Sequence, residues 1–276
     1  MIKSPFWRRV FNAPYVLWSA IFVIVPMLMV VYYSFTDRQG NFTLNNIVEM
    51  SEYTGTLLLS VAYGAMATVI CLVLAYPFAY FLAHTRLSFQ KTAILLVMLP
   101  MWMNFLIRTY SWMTILGESG LINKVVTALG FEPIRMLNTG FAVTLGMVYN
   151  FLPYMILPLY TVMSKMDNSL IEAAQDLGCS RFEVLKKVIL PLSKPGIISG
   201  ITMVFVPSVS TFYITQKLGG GRIILIGDII EMQFQMANNN NLGAALSLVL
   251  MVMILICLAI MKYFGEDDES GGGVLI

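Results

Sequence analysis

Residues 172–191 read Glu-Ala-Ala-Gln-Asp-Leu-Gly-Cys-Ser-Arg-Phe-Glu-Val-Leu-Lys-Lys-Val-Ile-Leu-Pro, a charged run set between two long apolar stretches. Just before it Ser169-Leu170-Ile171-Glu172 fits a capping box, and within it Ser180-Arg181-Phe182-Glu183 fits a second. In such a box a hydroxyl and a carboxylate reciprocally satisfy the amides left unpaired at a helix start. The pattern predicts two short helices in succession. In the first, Leu170, Ala173, Ala174 and Leu177 share a face, Glu172, Gln175 and Asp176 point elsewhere, and Gly178 supplies the positive-φ residue that ends it. In the second, Phe182, Leu185 and Ile189 share a face, with Arg181, Glu183, Lys186 and Lys187 around them, until Pro191 and Pro195 interrupt the pattern. The expectation is a helix-turn-helix elbow standing in water between two membrane spans.

That the flanks are spans follows from composition. Of 276 residues 58% are hydrophobic and 12% charged, with a mean hydropathy of +0.78, more apolar surface than a water-soluble domain of this length buries. Charge-poor stretches run from Ala13 to Phe35, Tyr53 to Ala83, Thr92 to Leu116, Phe141 to Ser164, Pro195 to Gln216 and Leu242 to Met261. Each is long enough for the roughly 20 residues that carry a helix across hydrocarbon. The fold class is therefore an all-α membrane protein of six transmembrane helices, the third interrupted by Arg108. The first stretch has basic residues before it, as a secretory signal does, but its length, Pro26 and the lack of a small-residue cleavage site make it a retained anchor.

Orientation follows from the basic residues. With the N-terminus in the cytoplasm, 11 of the 17 lie inside (Lys3, Arg8, Arg9, Arg86, Lys91, Lys165, Arg181, Lys186, Lys187, Lys194, Lys262), five outside (Arg38, Lys124, Arg135, Lys217, Arg222), and Arg108 in a span. Both termini are expected in the cytoplasm, and residues 172–191 with them. Residues 1–264 form one transmembrane domain with the charged elbow at 168–190, followed by an acidic, glycine-rich tail at 265–276. A net charge of +2 is too small to imply nucleic acid. Cys71 and Cys257 fall within spans and Cys179 on the cytoplasmic side, so no disulfide is expected.

Outside, Leu121, Ile122, Val125, Val126 and Leu129 repeat at helical spacing until Gly130, which predicts a short amphipathic helix at the interface. Gly219-Gly220-Gly221 is a turn and no phosphate loop, since no Gly-Lys-Ser/Thr follows. Prolines 26, 77, 100, 153, 158 and 207 lie within spans, where they kink helices around a pathway or merely shape packing.

On pattern alone the elbow has two readings. The small pair Ala173-Ala174 with Glu172 beside it suits a groove on a partner; equally, the elbow could fold back on its own bundle as an interfacial hairpin. A resemblance favours the first. Glu172-Ala173-Ala174, Gly178, Val188 and Leu190-Pro191 stand in the register of the EAA motif of binding-protein-dependent ABC importer permeases, in which Val188 replaces the usual Ile. The runs 99–110 and 146–160 are similar to those of the spermidine/putrescine permeases of that family. The resemblance implies a type I importer fold whose coupling helix docks on a cytoplasmic ATPase, with Glu172, Ala173, Ala174, Gly178, Phe182, Leu190 and Pro191 at the contact. It also implies a second homologous permease, an extracytoplasmic binding protein and a polyamine cargo. Permeases for iron, phosphonates and opines share parts of these runs.

No Walker motif is present, so the chain is expected to be no enzyme and to bind no cofactor, with ATP and Mg held by the partner ATPase. No paired-carboxylate or Ser-His-Asp constellation is credible, and His84 stands without a metal-ligand cluster. A pathway for an alkylammonium would use aromatic faces and neutral hydrogen-bonding groups. Trp102, Asn104 and Tyr110, then Tyr149, Asn150 and Tyr154, then Ser208, Ser210, Thr211 and Tyr213 supply these, with Asp228 and Glu231 at the outer mouth. Trp and Tyr near span ends also serve as interfacial anchors. Arg108 is costly in hydrocarbon, so it faces a wet cavity or the outer interface, gating or bracing the bundle, with Glu118 as a partner. An ion-coupled transporter would need carboxylates deep in the spans, and none of the six has one. An assembly protein would carry the elbow passively.

Overall fold

The structure is a computed structural model that describes residues 14–266, with side chains to Tyr263. Lys3, Arg8 and Arg9, and the acidic tail from residue 267 onward, lie outside the described residues. Among those described the chain is helical: α1 (Pro14–Ser34), α2 (Asn45–Glu49), α3 (Thr54–Ala83), α4 (Leu87–Trp102), α5 (Phe105–Leu116), α6 (Leu121–Ala128), α7 (Gly140–Met163), α8 (Asn168–Asp176), α9 (Arg181–Ser210), α10 (Ile226–Gln235) and α11 (Asn240–Glu266). Five helical stretches are long and apolar enough to cross a membrane, and α4 with the helices after it makes a sixth if that bent pair counts as one span.

That bend corrects one expectation. Thr92 to Leu116 is not a continuous span: the chain turns by 90° after Trp102. Pro100 removes an amide from the last turn of α4, Met103 and Asn104 are extended, and Asn104 caps α5 by accepting the Leu106 amide at 2.8 Å. A second correction concerns the fifth span. It neither starts at Pro195 nor runs to Gln216; α9 begins at Arg181, passes through Pro191 and Pro195 without a break, and stops at Ser210. The device that admits Pro191 is a π-turn over Leu185–Ile189, where the Leu190 amide reaches back to the Leu185 carbonyl. The wider turn moves the carbonyl four residues before the proline out of the way of its ring. The same device precedes Pro26 in α1, over Ala20–Ile24.

The contacts divide the chain into two compact units, Met1–Gly55 with Ile229–Met253 and Thr56–Asp228 with Ile254–Ile276. In the first, the loop after α1 is tied by two buried asparagines: Asn46 donates to the Ser34 and Thr36 carbonyls at 3.1 and 2.9 Å, and Asn241 donates to the Thr36 carbonyl at 2.7 Å. Within that loop the Asp37 carboxylate accepts the Gln39 and Asn41 amides, both at 2.8 Å, and these bonds hold it below the usual aspartate range.

The second unit holds the larger core. On α3, Ala67, Cys71, Ala75 and Ala79 repeat every four residues and are wholly buried. They are small enough for α7 to approach with Met147, Phe151, Met155 and Leu159, and Cys71 Sγ reaches the Val148 carbonyl at 3.8 Å. From the other side α9 presents Gly196 and Gly200, where an added Cβ would lie 3.1 Å from the Pro158 carbonyl and 2.5 Å from Met155 Sδ. Small residues spaced by four let helices pack closely when lipid supplies no hydrophobic drive between them. Cross-ties at the ends are polar: Tyr160 donates to Gln90 at 2.8 Å, and the Tyr76 and Ser193 hydroxyls lie 2.9 Å apart.

Candidate coupling elbow and solute pathway

The elbow forms as two helices around Gly178. Its first cap differs from the expectation: α8 starts two residues earlier, at Asn168, and Asp167, not Ser169, caps it by accepting the Ser169 amide at 2.9 Å. That bond and the Ser169 side chain hold the Asp167 carboxyl below its ordinary range. At the far end Gly178 has φ +82°, its amide donates to the Gln175 carbonyl at 2.8 Å, and the Cys179 amide donates to the Ala174 carbonyl at 3.1 Å. Both bonds of a Schellman closure are therefore present. The second capping box is complete: Ser180 Oγ accepts the Glu183 amide, Glu183 accepts the Ser180 amide at 2.9 Å, and Lys187 pairs with Glu183 at 3.1 Å.

The elbow has two different faces. Ile171, Gln175, Arg181, Val184, Leu185 and Ile189 turn toward Tyr76, Pro77 and Tyr80 of α3 around an open cavity of about 500 Å³. Leu170, Leu177 and Phe182 point away and are 47, 86 and 73% exposed, with Glu172 and Ala173 exposed beside them. Phe182 thus does not share a face with Ile189, as helical spacing predicts. The π-turn inserts an extra residue, so Val184 and Ile189, five apart, become the buried pair, and Phe182 is left outside. Leu190 and Pro191 are exposed, Ala174 is partly covered, and Gly178 has open space where a Cβ would stand.

The pathway residues scatter. Trp102 is 71% exposed at the end of α4, Asn104 serves as the cap of α5, and Tyr154 faces outward. Asp228 accepts the Thr215 hydroxyl and the Leu225 amide, each at 2.7 Å, which ties the start of α10 to the π-turn Thr215–Gly219. Four others gather. Tyr149 packs edge-on against Trp112 at 5.3 Å, and on the next residue the Asn150 side chain is 2% exposed with an unpartnered Oδ1. Ser208 is wholly buried and its Oγ has no partner. Tyr110 and Tyr213 meet edge-on at 6.3 Å, with Phe105 5.9 Å from Tyr213. Arg108 is 8% exposed, its guanidinium lies 5.8 Å from the Phe105 ring, and its Nε and Nη1 have no partner. No ion pair joins it to Glu118, which lines a cavity of about 290 Å³ with Arg135.

Residues 1–266 match the family described as binding-protein-dependent transport system inner membrane component. The chain belongs to this family. Among relatives it is 39% identical over 239 residues to the spermidine/putrescine transport system permease protein PotB of Haemophilus influenzae, covering 83% of this chain and 84% of that one. Two solved structures share the fold at 15% identity. One is a bacterial ABC transporter involved in the import of the acidic polysaccharide alginate, with a TM-score of 0.79 over 96% of this chain and 97% of that one. The other is the alginate transporter in complex with an alginate pentasaccharide-bound periplasmic protein, with a TM-score of 0.74 over 95% and 94%.

As an inner-membrane component of a binding-protein-dependent transport system, the permease crosses the membrane with its long apolar helices and stands as a transport subunit. Two of its groupings escaped the sequence reading. Lys217 was merely one of the outer basic residues, yet its Nζ lies 5.5 Å from the Tyr110 ring centre and 5.6 Å from that of Tyr213. The spacing of four from Tyr213 was the available signal, because it places both side chains on one face of a helical turn. Asn123, inside the amphipathic α6, is 2% exposed and exchanges bonds with the Ile134 backbone and the Gly117 carbonyl. Nothing in its flanking residues announces that role.

Proposed function

We propose that this chain is the permease subunit of an ATP-driven importer of spermidine and putrescine. In this reading it forms half of a heterodimeric pore with a homologous permease, above a dimer of cytoplasmic ATPases that bind ATP and Mg, and receives cargo from an extracytoplasmic binding protein. Both termini and the elbow face the cytoplasm. The observation that carries the reading is the outer face of the elbow. Leu170, Leu177 and Phe182 stand exposed in a segment too polar to lie in hydrocarbon, around Glu172 and Ala173, and are held by a Schellman turn and a capping box. A rigid apolar patch with one anionic handle suits a groove on a partner protein. The cargo assignment rests on the 39% identity to a permease whose name carries spermidine and putrescine, and on the aromatic and neutral polar groups of the pathway.

The structure suggests how force would travel. Because α9 runs unbroken from Arg181 to Ser210, the second arm of the elbow and the fifth span are one rod of 30 residues, about 45 Å long. A displacement of the elbow by closing ATPases then tilts the far end of that rod, where Ser208 lies against the pathway, without a hinge in between. The membrane potential draws a polycation inward by about 2.3 kcal/mol per charge per 100 mV, so the path must stay shut except when the ATPases act.

The test is Glu172→Lys in a strain whose uptake of labelled spermidine depends on this permease. The expected outcome is loss of at least about tenfold in uptake and loss of ATPase co-purification, with normal membrane insertion. Full uptake by the variant would remove the docking reading. Uptake of an iron chelate, a phosphonate or an opine in place of polyamines by the wild type would change the cargo and leave the docking intact.

A further inference from the structure

The Lys217 ammonium lies over two aromatic rings at once, 5.5 Å from Tyr110 and 5.6 Å from Tyr213, and no ion pair to a carboxylate holds it among the described residues. Its backbone is pinned on both sides. Thr215, two residues before it, donates to Asp228 at 2.7 Å, and the Leu218 carbonyl, one residue after, accepts the Asn138 amide at 2.9 Å. The side chain is half-buried and ends on the two tyrosines, whose rings attract the cation and of which Tyr110 also offers its hydroxyl to the ammonium, with no carboxylate among the described residues to fix it. What is anchored is the tether; what can swing is the ammonium. On the neighbouring ring, Phe105, the Arg108 guanidinium sits in the same manner at 5.8 Å.

We propose that Lys217 is a resident ammonium that fills the Tyr110–Tyr213 site in the resting permease, so that an amine of the cargo enters the site only by displacing it. The proposal rests on the polyamine reading above and adds a regulatory element to the same pathway. A primary alkylammonium on a four-carbon stem is chemically the end of a putrescine molecule, so a site that accepts one accepts the other. Occupied by Lys217, the rings offer a stray cation no stabilisation and the lysine charge repels it. The site becomes available when cargo arrives at high local concentration from its binding protein, or when movement of α9 and the turn after it draws Lys217 aside.

The experiment uses the complete purified transporter without ATP, with equilibrium binding of labelled putrescine and of tetramethylammonium, a probe of aromatic cation sites that is independent of what the transporter carries. Removing the competitor with Lys217→Met is expected to tighten both by about two- to thirtyfold, the range that release of one cation–π contact permits. Lys217→Arg, which keeps a cation on the rings, is expected to bind as the wild type does. In the Lys217→Met background, Tyr213→Leu is expected to abolish the gain. Unchanged binding in Lys217→Met overturns the proposal, as does a gain that survives Tyr213→Leu, which would reflect charge repulsion without a site. Lys217→Gln serves as the second variant should the Met substitution disturb assembly. If the wild type imports no polyamine while tetramethylammonium still follows this pattern, the cargo reading fails and the resident ammonium stands. If polyamine import is normal and the pattern is absent, the reverse holds.

Discussion

Gly178 makes the sharpest backbone demand in the elbow, since its φ of +82° lies where an L side chain is strained even with open space around it. Gly178→Ala is expected to cost about 1–2 kcal/mol locally and to loosen the closure between Gln175 and Cys179. The readout is coupling: uptake should fall several-fold while the assembled complex continues to hydrolyse ATP. Ser208 is the opposite case, a buried hydroxyl whose Oγ is left without a partner. Such a group costs stability unless something arrives to bond it. Ser208→Ala is expected to leave thermal stability unchanged or raised by up to about 1 kcal/mol, and to lower spermidine uptake; unchanged uptake would make it a packing residue. At this scale the sequence was informative where a residue's conformation is its function, as at Gly178. It was silent where function depends on a distant partner. Asp228 reads as a carboxylate at the outer mouth and proves to be a tie to Thr215, and Asn241, which nothing in the sequence marks out, holds the chain after α1.

Elements were read well at the caps of Ser180 and Gly130 and poorly at Ser169 and at their joints. Ser180 and Glu183 do make the capping box that their spacing predicts, and Gly130 ends α6 with a positive φ of +85°. The joints failed because proline has two outcomes. After Trp102 the chain bends by 90° near Pro100, whereas at Pro191 a π-turn absorbs the missing amide and the helix continues. Propensity alone does not choose between these; the choice depends on whether packing of Val184 and Ile189 repays the distorted turn. Pro191→Ala tests this. With the amide restored, the π-turn is expected to revert to α geometry, removing the extra residue and rotating Phe182 relative to Ile189 by about 100°. A cross-link from Phe182→Cys to the ATPase, expected to form with Pro191 in place, should then be lost, uptake should drop, and membrane insertion should persist.

At the scale of the molecule the close packing of α3, α7 and α9 depends on small side chains. Gly196→Ile would drive a branched side chain into the Pro158 carbonyl and Val162, a clash expected to cost about 1–3 kcal/mol and to lower the melting temperature of the complex in detergent, whatever its effect on transport. The membrane class, the number of apolar stretches and the presence of a capped, charged elbow were legible in the linear order of residues, because the length of an apolar run, the positions of charges and cap chemistry are local properties. The bend in the third stretch, the unbroken rod from Arg181 to Ser210, the split of the elbow into an inward and an outward face, and the seat of Lys217 on two tyrosines were not. Each arises from contacts between residues far apart in the chain or from a shift in helical register. Register and distance are settled by packing energy summed over the folded protein, which no window of sequence contains.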